Sequence, residues 1–545
     1  MGSSKLRCFY TLACSLLPVF LLCAVVGRNR GDDVTDPPEE AAAADPEAGC
    51  DNQPEDPSQK VAVVELTNAR NERAPDCRHA GILEIGHFSV LLRSLRDVDG
   101  TSQVQIAARA AENDIVTLRM RSADCDVLIV GAGAAGLATA IFTRMRNSSL
   151  RVRLLDGARA PGAKILVSGG GRCNVTNRVV TERDYWGGPS AIVRRVLRAL
   201  PVDATVRFFE SAGIALHEEH DGKLFPDSNR ARDVLNALLE HTTSHRVEQY
   251  WAHRVSTIAR RDGGFTITTP AGEFTASRVV LATGGQSLPK SGSDGTGYRL
   301  AQELGHQLVP TTPALAPLLL APDVPDHEPD MHTELSGVSL DATLTVWLDG
   351  RVALRLRESL LWTHFGISGP VALNVSRHWL RAEREGQTVA VSASFAGDLD
   401  FESVERLWME RTRARPLSSI GTTLASLVPA SVASALLRRV PLDPSITLAA
   451  LRREERRRLT AALTAWRLPI AGSRGYNYAE ATAGGIDLRE IDPTTMESRR
   501  CPGLYLVGEI LDVDGRIGGF NFQWAWSSAA VAAAALADFR ESEIR

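Results

Sequence analysis

The feature that most constrains this chain is Asp126-Val-Leu-Ile-Val-Gly131-Ala-Gly133-Ala134-Ala135-Gly136-Leu137, with an acid, Asp156, twenty residues beyond the last glycine. The apolar run Val127 to Val130 reads as a buried strand. It enters G-x-G-x-x-G and then a helix with Leu137, Ile141 and Met145 on one face. A second apolar run, Val152 to Leu155, ends in Asp156. Each segment has a task in a dinucleotide site. Gly131 permits a tight turn, Gly133 lets backbone approach a pyrophosphate, and Gly136 lets helix and strand pack closely. The helix N-terminus offers unpaired N–H groups to phosphate. Asp156 can accept from ribose hydroxyls, a charged contact worth about 1.5–3 kcal/mol. A lone G-x-G-x-x-G says little; strand, helix, strand and acid in register predict dinucleotide binding.

The bulk properties exclude several other classes. At 545 residues there is room for two or three domains with substantial cores. The net charge of −4 provides no broad basic field, so nucleic acid is not expected as a partner. The run Arg452 to Arg458 contains Glu454 and Glu455 and reads as a solvated helix face. Five of the eight cysteines precede the nucleotide motif, and no C-x-x-C occurs. Neither a zinc site nor a redox disulfide is signalled, and the three remaining thiols fit a reducing, cytoplasmic compartment. A calcium-loop reading of Asp512-Val-Asp514-Gly515 fails, because Arg516 and Gln523 stand at the fifth and twelfth positions. No metal site is expected.

Residues 1–119 form a separate problem. Cys8 to Val26 is mostly apolar, with Lys5 and Arg7 before it and Arg28 and Arg30 after it, as in a signal peptide or single membrane anchor. Residues 31 to 60 have the Asp, Glu, Pro and Ala content of a disordered segment. From there to residue 119 the pattern shows only short helix-like pieces. Met120 stands where a cytosolic Rossmann protein commonly begins, so residues 1–119 read as an over-extended start. If genuine, they would tether the protein to a membrane or export it.

Further along, Lys164 leads into Ser168-Gly169-Gly170-Gly171-Arg172-Cys173-Asn174-Val-Thr-Asn177. Three successive glycines allow positive φ and leave no side chains to block a flat ligand, although composition alone also fits a surface turn. Arg254 to Ile258 and Gly264 to Thr269 alternate as meander strands. Arg278-Val-Val-Leu-Ala282-Thr283-Gly284-Gly285 reads as a buried strand ending in small residues. Alternating runs at 342–348, 351–356 and 389–395 suggest antiparallel strands, followed by a mainly helical piece. His364 is a lone histidine, more in keeping with structure than with substrate contact. Near the C-terminus, Glu509 or Asp512 could meet sugar-alcohol hydroxyls. The helix opening after Gly518-Gly519 would aim its N-terminus at a ring that becomes negative on reduction.

Together these segments resemble the bacterial YhiN/BaiN-type flavoproteins, a family that also includes aminoacetone oxidase. The Gly131–Gly136 fingerprint, the Ser168–Asn177 block, Ala282–Gly285, the Thr363–Pro370 turn, Ala483–Gly485, Gly508–Gly515 and Gly518–Asn521 carry the likeness, over about residues 122 to 540. The resemblance implies an α/β fold: a split Rossmann-like FAD-binding domain with an inserted β-barrel domain and a helical cap. The implied divisions are a 1–119 extension, a first FAD-binding segment at 120–310, a barrel at 311–400, a helical subdomain at 401–467, a return through the barrel at 468–482, and a second FAD-binding segment at 483–545. Carried over by position, Gly131, Gly133, Ala134, Ala135 and Gly136 would hold the pyrophosphate and Asp156, where the family usually has Glu, the ribose. Lys164 and Gly170, Gly171, Arg172, Cys173 and Asn174 would line the cofactor. Val255 would meet the adenine, and Thr283 and Gly284 the phosphates. Glu509, Asn521, Phe522 and Gln523 would meet the ribityl–isoalloxazine end.

The implied activity is hydride transfer between a small organic substrate and FAD, with NAD(P)H or dioxygen as the other redox partner. No second dinucleotide motif appears, so any nicotinamide would visit transiently. An aminoacetone-type amine oxidase and a non-catalytic flavin-binding redox sensor are the alternatives; the acidic balance speaks against flavin-dependent RNA modification. No acid–base residue stands out. Cys173 is the thiol placed nearest the expected flavin, with a structural role favoured.

Overall fold

The computed structural model describes residues 123–322 and 330–538, together with the backbone of three strands, Gly81–Ile85, Phe88–Arg96 and Ser102–Ala108. Those three form a sheet of their own, where the sequence suggested only short helix-like pieces. The polar–apolar alternation of Ser102-Gln-Val-Gln-Ile has the period of a strand, which explains the difference. The apolar segment Cys8 to Val26 and residues 31–60 lie outside the described residues. Among the described residues, no helix is long and apolar enough to cross a membrane.

The sheet under the nucleotide motif follows from its buried apolar strands. Cys125–Val130 is flanked in parallel by Val152–Leu155 and by the C-terminal half of Gly272–Leu281. Glu248–Tyr250 extends the parallel block on one side, and Leu504–Leu506 pairs with Gly272–Leu281 on the other. Leu128 and Ile129 have no solvent exposure, as expected for a central parallel strand covered on both faces. Gly264–Thr269 and Thr257–Arg261 complete a mixed seven-stranded sheet as an antiparallel meander. Leu504–Leu506 therefore joins, from more than 200 residues away, the strand that carries Ala282-Thr-Gly-Gly.

Two helices cover the motif. Ala134–Arg146 follows the first strand, and Phe520–Ala537 lies against it. The second helix is apolar on nearly every side and buried along nearly its whole length, as an all-round apolar helix must be. Alanines on both helices permit the close approach. Trp524 and Trp526 instead donate their indole N–H groups to the carbonyls of Gly508 and Val175, at 3.1 and 3.0 Å.

A second core occupies residues 318–468. Its sheet is antiparallel throughout, in the order Trp466–Leu468, Val389–Ser394, Ser339–Leu348, Arg351–Thr363, Gly366–Ser368, Leu318–Leu320, Ile470–Ser473. The two outermost strands are consecutive pieces of chain separated only by Pro469. Helices Phe401–Ala414, Ile420–Ala425, Ala430–Arg439 and Arg453–Thr464 are inserted before them. Leu308–Ala314 pairs antiparallel with Ala481–Ile486, so the chain leaves the first core and returns to it side by side.

Candidate functional site

A cavity of about 500 Å³ runs from the Gly131 loop to the start of the Phe520–Ala537 helix. At its first end Gly131 adopts φ +103°, and a Cβ there would meet the Ala282 carbonyl oxygen at 2.5 Å. A Cβ on Gly136 would stand 1.8 Å from the Gly131 oxygen, so this glycine fixes helix against loop and does not itself line the cavity. Gly133 opens onto empty space and caps its helix without any side-chain bond. Ala134 and Ala135 line the cavity beside it. The first N–H groups of the helix are thus left for a ligand.

Asp156 lines the cavity, and its carboxylate accepts from Ala132 N at 2.6 Å and Ala158 N at 2.8 Å. It braces the glycine loop, while each oxygen keeps acceptor capacity for a hydroxyl. Val255, Thr283 and Gly284 also line this end. Three buried side-chain atoms along the cavity wall, Asn174 Oδ1, Thr283 Oγ1 and Ser293 Oγ, have no hydrogen-bond partner among the described residues. Open glycine backbone and unpaired buried polar atoms along one elongated cavity fit a dinucleotide with a flat ring.

The Ser168–Asn174 block turns out to be a broken helix. Ala163–Gly171 is helical at its start, but Gly169 and Gly170 take φ +54° and +69°. Lys164, Gly170, Arg172 and Asn174 line the cavity, whereas Gly171 does not. Arg172 stacks 4.0 Å from the Phe225 ring centroid and pairs with Glu219 at 2.6 Å. Cys173 turns away and is fully buried, and burial pushes its thiol up to about 12. A thiol held neutral in this way is no nucleophile, which places Cys173 in the packing rather than at the ligand.

The far end is held by ions. Lys164 pairs with Glu509 and donates to Ser287 Oγ at 2.6 Å. Glu509 also accepts from Ser287 Oγ and Thr482 N, each at 2.9 Å. Asn521 and Phe522 line the cavity, but the Asn521 amide is tied in both directions to the backbone of Gly515. Gln523 departs from its expected place. Its side chain is buried away from the cavity, accepting from Thr176 Oγ1 and donating to Leu200 O and Ser527 Oγ. A single residue step along the helix separates cavity-facing Phe522 from core-facing Gln523, which the motif alone does not reveal. Asp512 likewise lies outside the cavity wall; burial, then Asp514, pushes its carboxyl up to about 6.

Residues 513–517 are clipped to the second core. Arg377 grips the fully buried Asp514 through two bonds of 2.6 and 3.0 Å. Asn374 accepts from Ile517 N at 2.8 Å, and Arg516 pairs with Glu358 at 2.8 Å. Sequence reading missed Ser293 beside Gly284 at the first end, and Glu480, Ser287, Leu315, Arg516 and Ile517 at or beside this one. For Glu480 a signal existed: it directly precedes the glycine-bearing strand Ala481–Ile486. His364 and Phe365 lie outside the cavity wall, with the Arg474 guanidinium over the Phe365 ring.

A second polar cluster has the form of a nucleophile–base–acid relay: Ser498 Oγ to His306 Nε2 at 2.8 Å, and His306 Nδ1 to Glu490 at 2.9 Å. Ser498 and His306 are buried, and Ser498 Oγ already accepts from the backbone N–H groups of Arg500 and Cys501. Its geometry serves to lock a loop. Among the described residues, no group of His, Cys, Asp or Glu could hold a metal ion.

The sequence model of the HI0933-like protein Rossmann domain matches residues 125–535. A ribosomal RNA dihydrouridine synthase of Escherichia coli is 35% identical over 74% of this chain and 96% of its own. A 3-dehydro-bile acid delta(4,6)-reductase of Clostridium scindens is 32% identical over 75% of this chain and 98% of its own. Among solved structures, an E. coli quinol fumarate reductase chain aligns at 16% identity over 77% of this chain and 72% of that one, with a TM-score of 0.40. Since the first of these relatives is named for acting on RNA, overall charge does not decide the partner.

Proposed function

This chain belongs to the HI0933-like Rossmann family and is an FAD-dependent oxidoreductase, and we propose that it reduces a carbon–carbon double bond conjugated to a carbonyl. FAD, when bound, supplies the hydride chemistry; this chain's residues bind, orient and shield it. The observation that carries the reading is the shape of the wall. A main-chain cradle at one end gives way, beyond the Lys164–Glu509 pair, to the apolar and titratable group Leu315, Ile517 and Glu480. That end suits a flat acceptor laid against a ring. The names of two relatives agree: a delta(4,6)-reductase and a dihydrouridine synthase both saturate a double bond in conjugation with a carbonyl.

In this reading Gly131, Gly133, Ala134 and Ala135 receive the pyrophosphate and Asp156 the ribose. Val255 faces the adenine, and Thr283 and Gly284 the phosphates. Lys164, Gly170, Arg172 and Asn174 would flank the ring-bearing half, and the N-terminal end of the Phe520–Ala537 helix would favour the negative charge a flavin ring gains on reduction. Glu509, its carboxylate already engaged, sets Lys164 and Ser287 in place. The domain split at 310 and 483 belongs to the same proposal, with residues 311–400 and 468–482 closing into a barrel and 401–467 capping it. NAD(P)H is the proposed electron source, visiting transiently in a cytoplasmic protein.

A second reading, with a uridine base in RNA as acceptor, is favoured by the helical segment 401–464. It carries eleven arginines and no lysine against six acids, while the whole chain is at −4. Exposed Arg413, Arg415, Arg453 and Arg458 would suit a phosphate backbone. Anaerobic stopped-flow tests the proposal. NADH or NADPH bleaches the flavin, and a conjugated enone or a uridine-containing transcript restores it; restoration by neither, or bleaching by amines instead, rejects it.

A further inference from the structure

We infer that Glu480 is the proton donor of this reduction, an inference that rests on the conjugated double bond as acceptor. Its backbone is held by Glu480 N, which donates to Leu315 O at 3.2 Å, and Ser287 Oγ lies 3.3 Å from Glu480 O while its proton points to the nearer Glu509 carboxylate. Glu480 lines the cavity together with Leu315 and Ile517. The side chain is itself exposed, opening on that cavity, while protein is packed densely around the site. No hydrogen bond or ion pair engages its carboxyl among the described residues, in contrast to Glu509, which holds three protein donors.

The surrounding charges favour a neutral acid. Burial raises the Glu480 pKa, and Lys164 opposes the rise. Lys164 is committed to Glu509, Arg516 to Glu358 and Asp184, and the other cations lining the cavity, Arg172, Lys223 and Arg254, to Glu219, Asp221 and Asp294. A carboxyl with no ionic or hydrogen-bonding partner and a raised pKa is the kind of group that keeps a proton to give. The balance is simple. One alkene carbon takes a hydride, and with it two electrons, from the cofactor; the other takes the Glu480 proton. The carboxylate left behind regains a proton from water through the cavity.

Two measurements test this. Wild-type, Glu480→Gln and Glu480→Asp proteins, each retaining the bound-flavin spectrum, are photoreduced without oxygen. They are then mixed with 2-cyclohexenone or a uridine-containing transcript across a pH series. The wild-type reoxidation rate should fall as pH rises through the Glu480 titration. The Gln variant should be slower by about 100-fold or more, without that dependence, and the Asp variant should recover some of the rate. Separately, infrared spectra should show a protonated-carboxyl band that titrates above the ordinary Glu range in wild type and is missing in the Gln variant. A Gln variant with wild-type rate and pH profile, or identical infrared spectra, overturns the inference. If wild type reoxidises with neither acceptor, the acceptor reading fails instead, while the infrared result still decides whether Glu480 holds a proton.

Discussion

The two ends of the cavity are built from different materials. The Gly131 end is main chain: a tight turn, a bare helix start and small residues, braced by Asp156 through backbone N–H groups. The far end is side chain: the Lys164–Glu509 pair, the Arg377–Asp514 clip and Arg516 between Glu358 and Asp184. Backbone geometry tolerates no added atom at its tightest point, whereas an ionic wall fails by losing one partner. The difference teaches where each end is fragile.

The sharpest break in the first end is Gly136→Ala. A methyl 1.8 Å from the Gly131 oxygen cannot be absorbed by a side-chain shift, because both atoms belong to the turn itself. The expected cost is about 4 kcal/mol or more, read as loss of soluble, flavin-containing protein. Normal denaturant stability with full FAD content would show that loop and helix have freedom that the packed geometry denies.

The corresponding break in the second end is Arg377→Ala. It leaves Asp514 buried without its only salt-bridge partner among the described residues, and chemical denaturation should show a loss of about 3–5 kcal/mol. Replacing both residues with leucine should recover much of that loss, since a buried pair gains little over apolar packing. If the double variant is as unstable as the single one, the clip does more than neutralise charge.

These two ends were not equally legible in the sequence. The first is local: Gly131, Gly133, Gly136 and Asp156 lie within 26 residues, and a tight turn demands Gly131 and a close approach Gly136. The second joins partners such as Lys164 and Glu509, 345 positions apart, and Arg377 and Asp514, 137 apart. No pattern of spacing announces such pairs, because topology and not local periodicity creates them. Gln523 is hidden for a different, local reason. Its place in a glycine-led motif suggested ligand contact, but helix phase sends it toward Thr176. Alternation in 342–348 and 351–356 did announce strands, while the sheet order and its meeting edges depend on pairings the sequence does not display.

A milder test of the ionic end uses pH. The Asp512 carboxyl is raised from 3.8 to about 6, chiefly by burial. The folded state therefore binds this proton more tightly than the unfolded one. Its stabilising contribution is complete at low pH and is lost as pH rises through about 6. Asp512→Asn removes the charged state, so the variant should exceed wild type near neutral pH by up to about 3 kcal/mol, the two converging in acid. Denaturant midpoints across pH check it; a variant weaker than wild type at neutral pH would mean that ionised Asp512 has a partner that compensates its burial.

Gly133→Ala should have the smallest effect on the fold and is the most informative about the ligand. This glycine has ordinary φ −83° and ψ −169°, and no heavy atom lies within 4 Å of where its Cβ would stand. Alanine therefore fits the apoprotein, and folding stability should change by less than about 0.5 kcal/mol. Yet the empty space is the space assigned to the pyrophosphate, so FAD affinity should fall at least about tenfold, or 1.4 kcal/mol. Equilibrium FAD titration of the apoprotein separates the two quantities. Unchanged affinity would move the phosphates off this glycine and leave the main-chain end of the cavity a folding device only. A weakened cofactor on an intact fold would show that Gly133 is kept bare for the ligand, as its neighbour Gly136 is kept bare for the turn.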